Sequence, residues 1–309
     1  MVVLDRFQNL NAIRMENEGM RIIVLPENGG KVASIYDKQK NFELLFQNPK
    51  QQFERPKIYS NFADFDASGF DDAFPTIDQC SIDVNGQKII YPDHGEIWSA
   101  RFGSVIEGDS ALMTYQSRIL PYRYSKRLSL HDKRLVCSYK IENTGKVSFP
   151  FLWAFHCLVN YNEDMKLIFP RDIEHVENVC ESRRFGEVGA IYSAPVDMIK
   201  TGQMYDFTTV PPRTPKSMGK YYIKEKITEG RCGYYYPSKD VTAVIEYDAE
   251  KLPYLGFWVT AGGFRGDYNC ALEPATGYYD SVPVADKNHS SCVLTPGEKF
   301  EFALTIELS

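Results

Sequence analysis

The sequence predicts an all-β fold, a large antiparallel β-sandwich. Three observations lead there: hydrophobic runs of period two, tight-turn signals between them, and no long segment with a 3.6-residue apolar stripe. Leu135, Cys137, Tyr139 and Ile141 alternate with Val136, Ser138, Lys140 and Glu142. Phe300, Phe302, Leu304, Ile306 and Leu308 alternate with Glu301, Ala303, Thr305 and Glu307. Alternation of that kind places one face of a strand in a core and the other outside.

Taken along the chain, Glu27-Asn28-Gly29-Gly30 separates expected strands at 20–25 and 31–37. Asn85-Gly86 between 80–84 and 87–91 is a tight-hairpin signal, because both residues tolerate the positive φ such a turn needs. A strand is expected at 111–118. His131-Asp132-Lys133 divides 122–130 from 134–142, and Asn143-Thr144-Gly145 leads to a run at 149–159. Further strands are expected at 166–169, 231–236, 241–247 and 254–260, with 268–272 reading as a strand entering the core. The stretch 210–220 carries Pro211, Pro212, Pro215 and Gly219 and is expected to be a surface loop. Strands of the same character flank it, there is no repeat or low-complexity linker, and one domain over 1–309 is expected.

Hydrophobic residues make up 43% of 309, enough for a sizeable core, and the net charge of −6 with scattered basic residues excludes a nucleic-acid-binding face. No segment approaches a membrane span in length. Aromatics reach 14%, which suits strands and would also suit a sugar site. The seven Cys (80, 137, 157, 180, 232, 270, 292) form no CxxC pair, and several lie in apolar runs. With no basic or long apolar leader at Met1-Val2-Val3-Leu4-Asp5-Arg6, a cytoplasmic protein with reduced thiols is expected.

Two residues stand out as proton-transfer groups. His156 ends the apolar run Phe149-Pro150-Phe151-Leu152-Trp153-Ala154-Phe155, and Glu273 closes Asn269-Cys270-Ala271-Leu272 just before Pro274. His156 read alone is as readily a core histidine bonded to backbone. Glu273 is harder to explain that way, since a carboxylate is rarely buried without a partner. Pro274 and Gly277 suggest that the chain turns at once and leaves the carboxylate at a rim, although a Lys or Arg on a neighbouring strand would be the structural alternative. His94 sits in the loop Tyr91-Pro92-Asp93-His94-Gly95-Glu96. Asp93, His94 and Glu96 could be metal ligands, but the spacing is no standard zinc pattern. Asp71 and Asp72, in Gly69-Phe70-Asp71-Asp72-Ala73-Phe74-Pro75-Thr76, are either turn caps or acceptors for hydroxyls.

In order along the chain, these segments resemble the aldose 1-epimerase family with its galactose mutarotase-like supersandwich. The likeness is carried by Gly29-Gly30-Lys31-Val32-Ala33-Ser34-Ile35-Tyr36-Asp37, Asp71-Asp72-Ala73-Phe74-Pro75-Thr76-Ile77, Asp93-His94-Gly95, the Pro150–His156 run, and Leu272-Glu273-Pro274-Ala275-Thr276-Gly277. The chain departs from the family after His156, where Cys157-Leu158-Val159 follows, and at Glu96 after His94-Gly95. A Gly-Arg segment upstream of that loop is not evident. Those positions bear on which sugar is taken. The resemblance implies acid–base catalysis without a metal or cofactor. Glu273 would take the anomeric proton and His156 would give one to the ring oxygen from the other side. His94 would hold the ring oxygen or a hydroxyl, Asp71 or Asp72 the outer hydroxyls, and Trp98, Trp153 or Trp258 would offer a stacking face. The implied partner is a monosaccharide or sugar derivative, with a homodimer left open. The alternatives are a noncatalytic sugar-binding or regulatory protein, a polysaccharide-processing enzyme, and a metal-dependent isomerase built on His94 and Glu96.

Overall fold

The structure, a computed structural model, describes residues 1–171, 173–213 and 216–309. Among the described residues two sheets dominate, one of 13 strands and one of 8. All paired strands in them run antiparallel. The large sheet starts at the N-terminal hairpin Val2–Phe7/Leu10–Glu16 and passes through Met20–Leu25 and Lys31–Asp37 to Phe70–Ala73. Ala154–Cys157, Tyr268–Ala275, Tyr254–Ala261 and Ser217–Ile223 follow side by side, then His175–Asn178 and Ile191–Ser193. The smaller sheet centres on Lys299–Leu308, Arg134–Asn143 and Tyr122–His131. The strand expectations hold closely, with Cys80–Val84, Gln87–Tyr91, Arg231–Tyr236 and Val241–Tyr247 falling where the pattern placed them.

Period two explains which side chains meet. On Ala154–Cys157, Phe155 and Cys157 enter the core between the sheets, while His156 lies on the other face. On Tyr268–Ala275, Cys270 and Leu272 do the same, leaving Asn269, Ala271 and Glu273 on the outer face. The core is rich in aromatic packing, with Trp153 edge-on to Tyr139 and Phe302, and its indole N–H donating to the Tyr124 hydroxyl at 2.8 Å. Trp153 is therefore a core residue.

Three expectations need correction. The 149–159 run is not one strand but Phe149–Phe151, Ala154–Cys157 and Val159–Asn160, the first of which pairs with Cys292–Leu294 instead of the large sheet. The chain does not turn after Glu273. The strand continues through Pro274 to Ala275, so Glu273 lies within it and is buried. The 210–220 stretch is not wholly a loop, because its end forms the start of Ser217–Ile223, an interior strand of the large sheet between Tyr254–Ala261 and His175–Asn178. Pro215 of that stretch lies outside the described residues.

Candidate functional site

The outer face of the large sheet forms the floor of a cleft of about 230 Å³ lined by both predicted proton-transfer residues. That is below the roughly 300–1,000 Å³ of sites for drug-sized molecules, so the cleft suits a smaller ligand. His156 and Glu273 stand on neighbouring strands, with Nε2 4.0 Å from Oε1. The core-histidine reading of His156 does not describe this geometry, since Nε2 faces a carboxylate. Burial above all, with His94, Lys220 and Lys31 nearby acting in the same direction, holds the imidazole well below its ordinary pKa, so it rests neutral.

Glu273 has the partner that the structural alternative called for. Lys220 Nζ lies 2.7 Å from its Oε2 and 3.0 Å from Asp280 Oδ1. Neither Glu273 oxygen accepts a well-directed hydrogen bond from a described residue. Burial pushes the carboxyl above its ordinary pKa and Lys220 pulls it back.

His94 overhangs this floor. Its ring stacks on Phe62 at 3.9 Å and meets the His156 ring edge-on at 5.0 Å. Nδ1 bonds Asp93 Oδ1 at 2.8 Å, and since a carboxylate can only accept, Nδ1 carries the proton and Nε2 is left for a ligand. Asp93 also accepts from the Phe62 backbone N–H at 2.8 Å, so one carboxylate ties the Phe62 loop to the His94 loop. His94 and Gly95 both have positive φ, at 54° and 75°. A Cβ on Gly95 would fall 2.1 Å from the Phe74 carbonyl oxygen, so only glycine lets this loop lie against the Phe70–Ala73 strand end. Gly95→Ala is expected to cost more than the roughly 1–3 kcal/mol of backbone strain alone, read as a lowered denaturant midpoint.

The metal-ligand reading of the same loop fails on Glu96. That carboxylate turns away from His94 and is buried, accepting from the hydroxyls of Tyr115, Ser117 and Tyr122 at 2.6–2.8 Å. It anchors the loop to the smaller sheet.

Asp71 and Asp72 are not free acceptors for hydroxyls. Successive residues on Phe70–Ala73 point to opposite faces. Asp72 enters the core, 3.0 Å from Lys126 Nζ and bonded by the Tyr139 hydroxyl at 3.0 Å. Asp71 shares His156's face, directly across the strand pair, but is sealed against Lys31 at 2.6 Å. Lys31 in turn donates to the Ser68 carbonyl and lies 3.6 Å from Asp66. Trp98 is buried behind Phe62 and Phe65, its N–H donating to the Asp93 carbonyl, and it does not line the cleft. Trp258 does line it, half-buried beside Phe264 and Asn269.

Lys220, Asp280, Asp78 and Phe62 also line the cleft and were not singled out from sequence. In the sequence Lys220 closes the Pro-rich 210–220 stretch, and nothing in its neighbourhood pairs it with Glu273.

No protein-family model matches the sequence, and no curated protein matches it. Solved structures do resemble the fold over its whole length. The Slr1438 protein from Synechocystis sp. PCC 6803 superposes with a TM-score of 0.73 at 15% identity, covering 100% of this chain and 99% of that one. A putative aldose 1-epimerase from Escherichia coli K12 gives 0.70 at 15% identity, covering 100% and 99%. A galactose mutarotase-like protein from Clostridium acetobutylicum gives 0.66 at 16% identity, covering 100% and 98%. The resemblance drawn from the ordered motifs is thus matched by proteins bearing those names, and the chain has the galactose mutarotase-like fold.

Proposed function

We propose that the protein is a cytoplasmic sugar mutarotase of the aldose 1-epimerase kind, acting as one domain over residues 1–309. The observation that carries this reading is His156 and Glu273 4.0 Å apart on adjacent strands, on the floor of a small aromatic-walled cleft. Glu273 accepts the proton of the anomeric hydroxyl while the C1–O5 bond opens, and His156 gives its N–H proton to the ring oxygen. The imidazole donates as the imidazolium, with a proton taken up when the sugar is bound beside Glu273, and is left neutral once the ring oxygen has that proton. The aldehyde rotates about C1–C2, and reclosure with the roles exchanged yields the other anomer. The sequence reading set acid and base on opposite sides of the sugar. His156 and Glu273 instead stand on one floor, 4.0 Å apart, which suffices for the proposed step because the two reacting oxygens share a carbon. His94 Nε2 is placed for the ring oxygen or a neighbouring hydroxyl, Trp258 for stacking on a sugar C–H face, and Asn269 and Asp78 for hydroxyls.

The test is polarimetry or saturation-exchange NMR on a panel of aldoses and their phosphates. Acceleration of anomer exchange by the wild-type protein supports the reading, and its absence on every sugar removes it. Trp258→Ala is expected to raise KM about tenfold, or ~1.4 kcal/mol of binding, with kcat little changed. Trp98→Phe should leave KM as it is, because Trp98 does not reach the cleft.

A second reading, a protein that binds sugar without turning it over, is favoured by one observation: Glu273 Oε2 is already engaged by Lys220. It predicts saturable binding in the same NMR experiment with no change in exchange rate.

A further inference from the structure

Lys220 reaches Glu273 from two strands away. In the register of Ser217–Ile223 against Tyr254–Ala261, Lys220 lies opposite Trp258 and Tyr222 opposite Gly256. In the next pair, Gly256 lies opposite Glu273. Lys220, Tyr222, Gly256, Trp258 and Glu273 therefore share the cleft face of the sheet. The strand between Lys220 and Glu273 offers a side chain at Trp258 and none at Gly256, where an added Cβ would come 3.0 Å from the Tyr222 ring. The Tyr222 ring covers the position above Gly256, and Lys220 stands on the same face. Its ammonium, on a side chain only 8% exposed, ends between Glu273 and Asp280. Asp280 is itself held by the Tyr222 hydroxyl, which donates to Oδ1 at 3.0 Å. The Lys220 backbone N–H is fixed as well, donating to Cys180 Sγ at 3.0 Å.

We propose that Lys220 is a positioning residue for the acid–base reaction: it holds the buried Glu273 carboxylate ionised and aimed into the cleft, and Asp280 sets how strongly. This rests on the mutarotase reading above. A carboxylate buried with no cation beside it takes up a proton and is useless as a base. A cation bound to it alone would quench its basicity. Sharing one ammonium between two carboxylates does neither. The other charged or titratable groups facing the pair are His156 on the adjacent strand, His94 on its loop and Asp78 beside Asp280.

The experiment titrates Glu273 directly, by carboxyl 13C NMR on protein labelled at glutamate, with the resonance identified by its loss in Glu273→Gln. In Lys220→Met the midpoint should rise by about 1–3 pH units. Asp280→Asn should move it the other way, because it releases Lys220 wholly to Glu273. The acid limb of kcat/KM should follow each shift. Lys220→Met should lose more than tenfold of kcat at pH 7, recover toward alkaline pH, and keep KM within about threefold, while Lys220→Arg falls between it and wild type. A midpoint unmoved in folded Lys220→Met overturns the proposal. So does a loss equal at all pH values with KM raised, which would make Lys220 a sugar contact. Should Lys220→Met fail to fold, Asp280→Asn decides by its opposite sign. If wild type turns over no sugar while both midpoints move as stated, the mutarotase reading falls and the electrostatic role of Lys220 remains.

Discussion

Glu273→Gln is expected to lower the mutarotation rate by about 10²–10⁴-fold, and His156→Ala to do the same. Gln keeps the size of the side chain and removes its ability to accept the anomeric proton. Ala removes the donor that neutralises the leaving ring oxygen. The two act on one bond-breaking step, so the double variant should be scarcely slower than either single one. The measurement is polarimetry on the sugar that wild type turns over fastest, with circular dichroism to show that each variant folds. Both side chains are already burdened where they stand, His156 by an imidazole held neutral and Glu273 by a carboxylate away from solvent. Stability should therefore hold or rise in the variants while activity collapses. Two folded variants as fast as wild type would remove both residues from the reaction.

The largest effect on stability is expected at Asp72. This carboxylate and the Lys126 ammonium, 3.0 Å apart, are both wholly buried between the sheets. Lys126 Nζ also sits 4.1 Å from the centre of the Phe70 ring. Asp72→Ala leaves an uncompensated cation in the core and the Tyr139 hydroxyl without its acceptor. The expected cost is about 3–5 kcal/mol, read as a drop in the denaturant midpoint. Adding Lys126→Met should restore most of it, since a long apolar side chain fills the same space without needing a counter-charge. A double variant no more stable than Asp72→Ala would show that the damage is packing instead of charge.

The fate of the two aspartates shows where sequence reasoning stops. Asp71 and Asp72 are adjacent, so strand geometry sends them to opposite faces, but the segment does not say which face is core. Only the position of Lys126 on the smaller sheet and Lys31 on the large one reveals that both are structural ion pairs. Trp98 and Trp258 were equivalent in the sequence for the same reason. One is walled off by Phe62 and Phe65, and the other opens on the cleft.

By itself the sequence determined the all-β class and most strand positions, and it singled out His156 and Glu273 as titratable groups on strand-like runs. Those features are local: alternation of side chains and turn chemistry are written within ten residues. The tertiary structure alone decided that His156 and Glu273 lie on one floor, that Glu96 is held by three hydroxyls and anchors its loop, and that Lys220 stands beside Glu273. These depend on cross-strand register between segments far apart in the chain, and register is settled by the packing of whole faces, which no short stretch of residues carries.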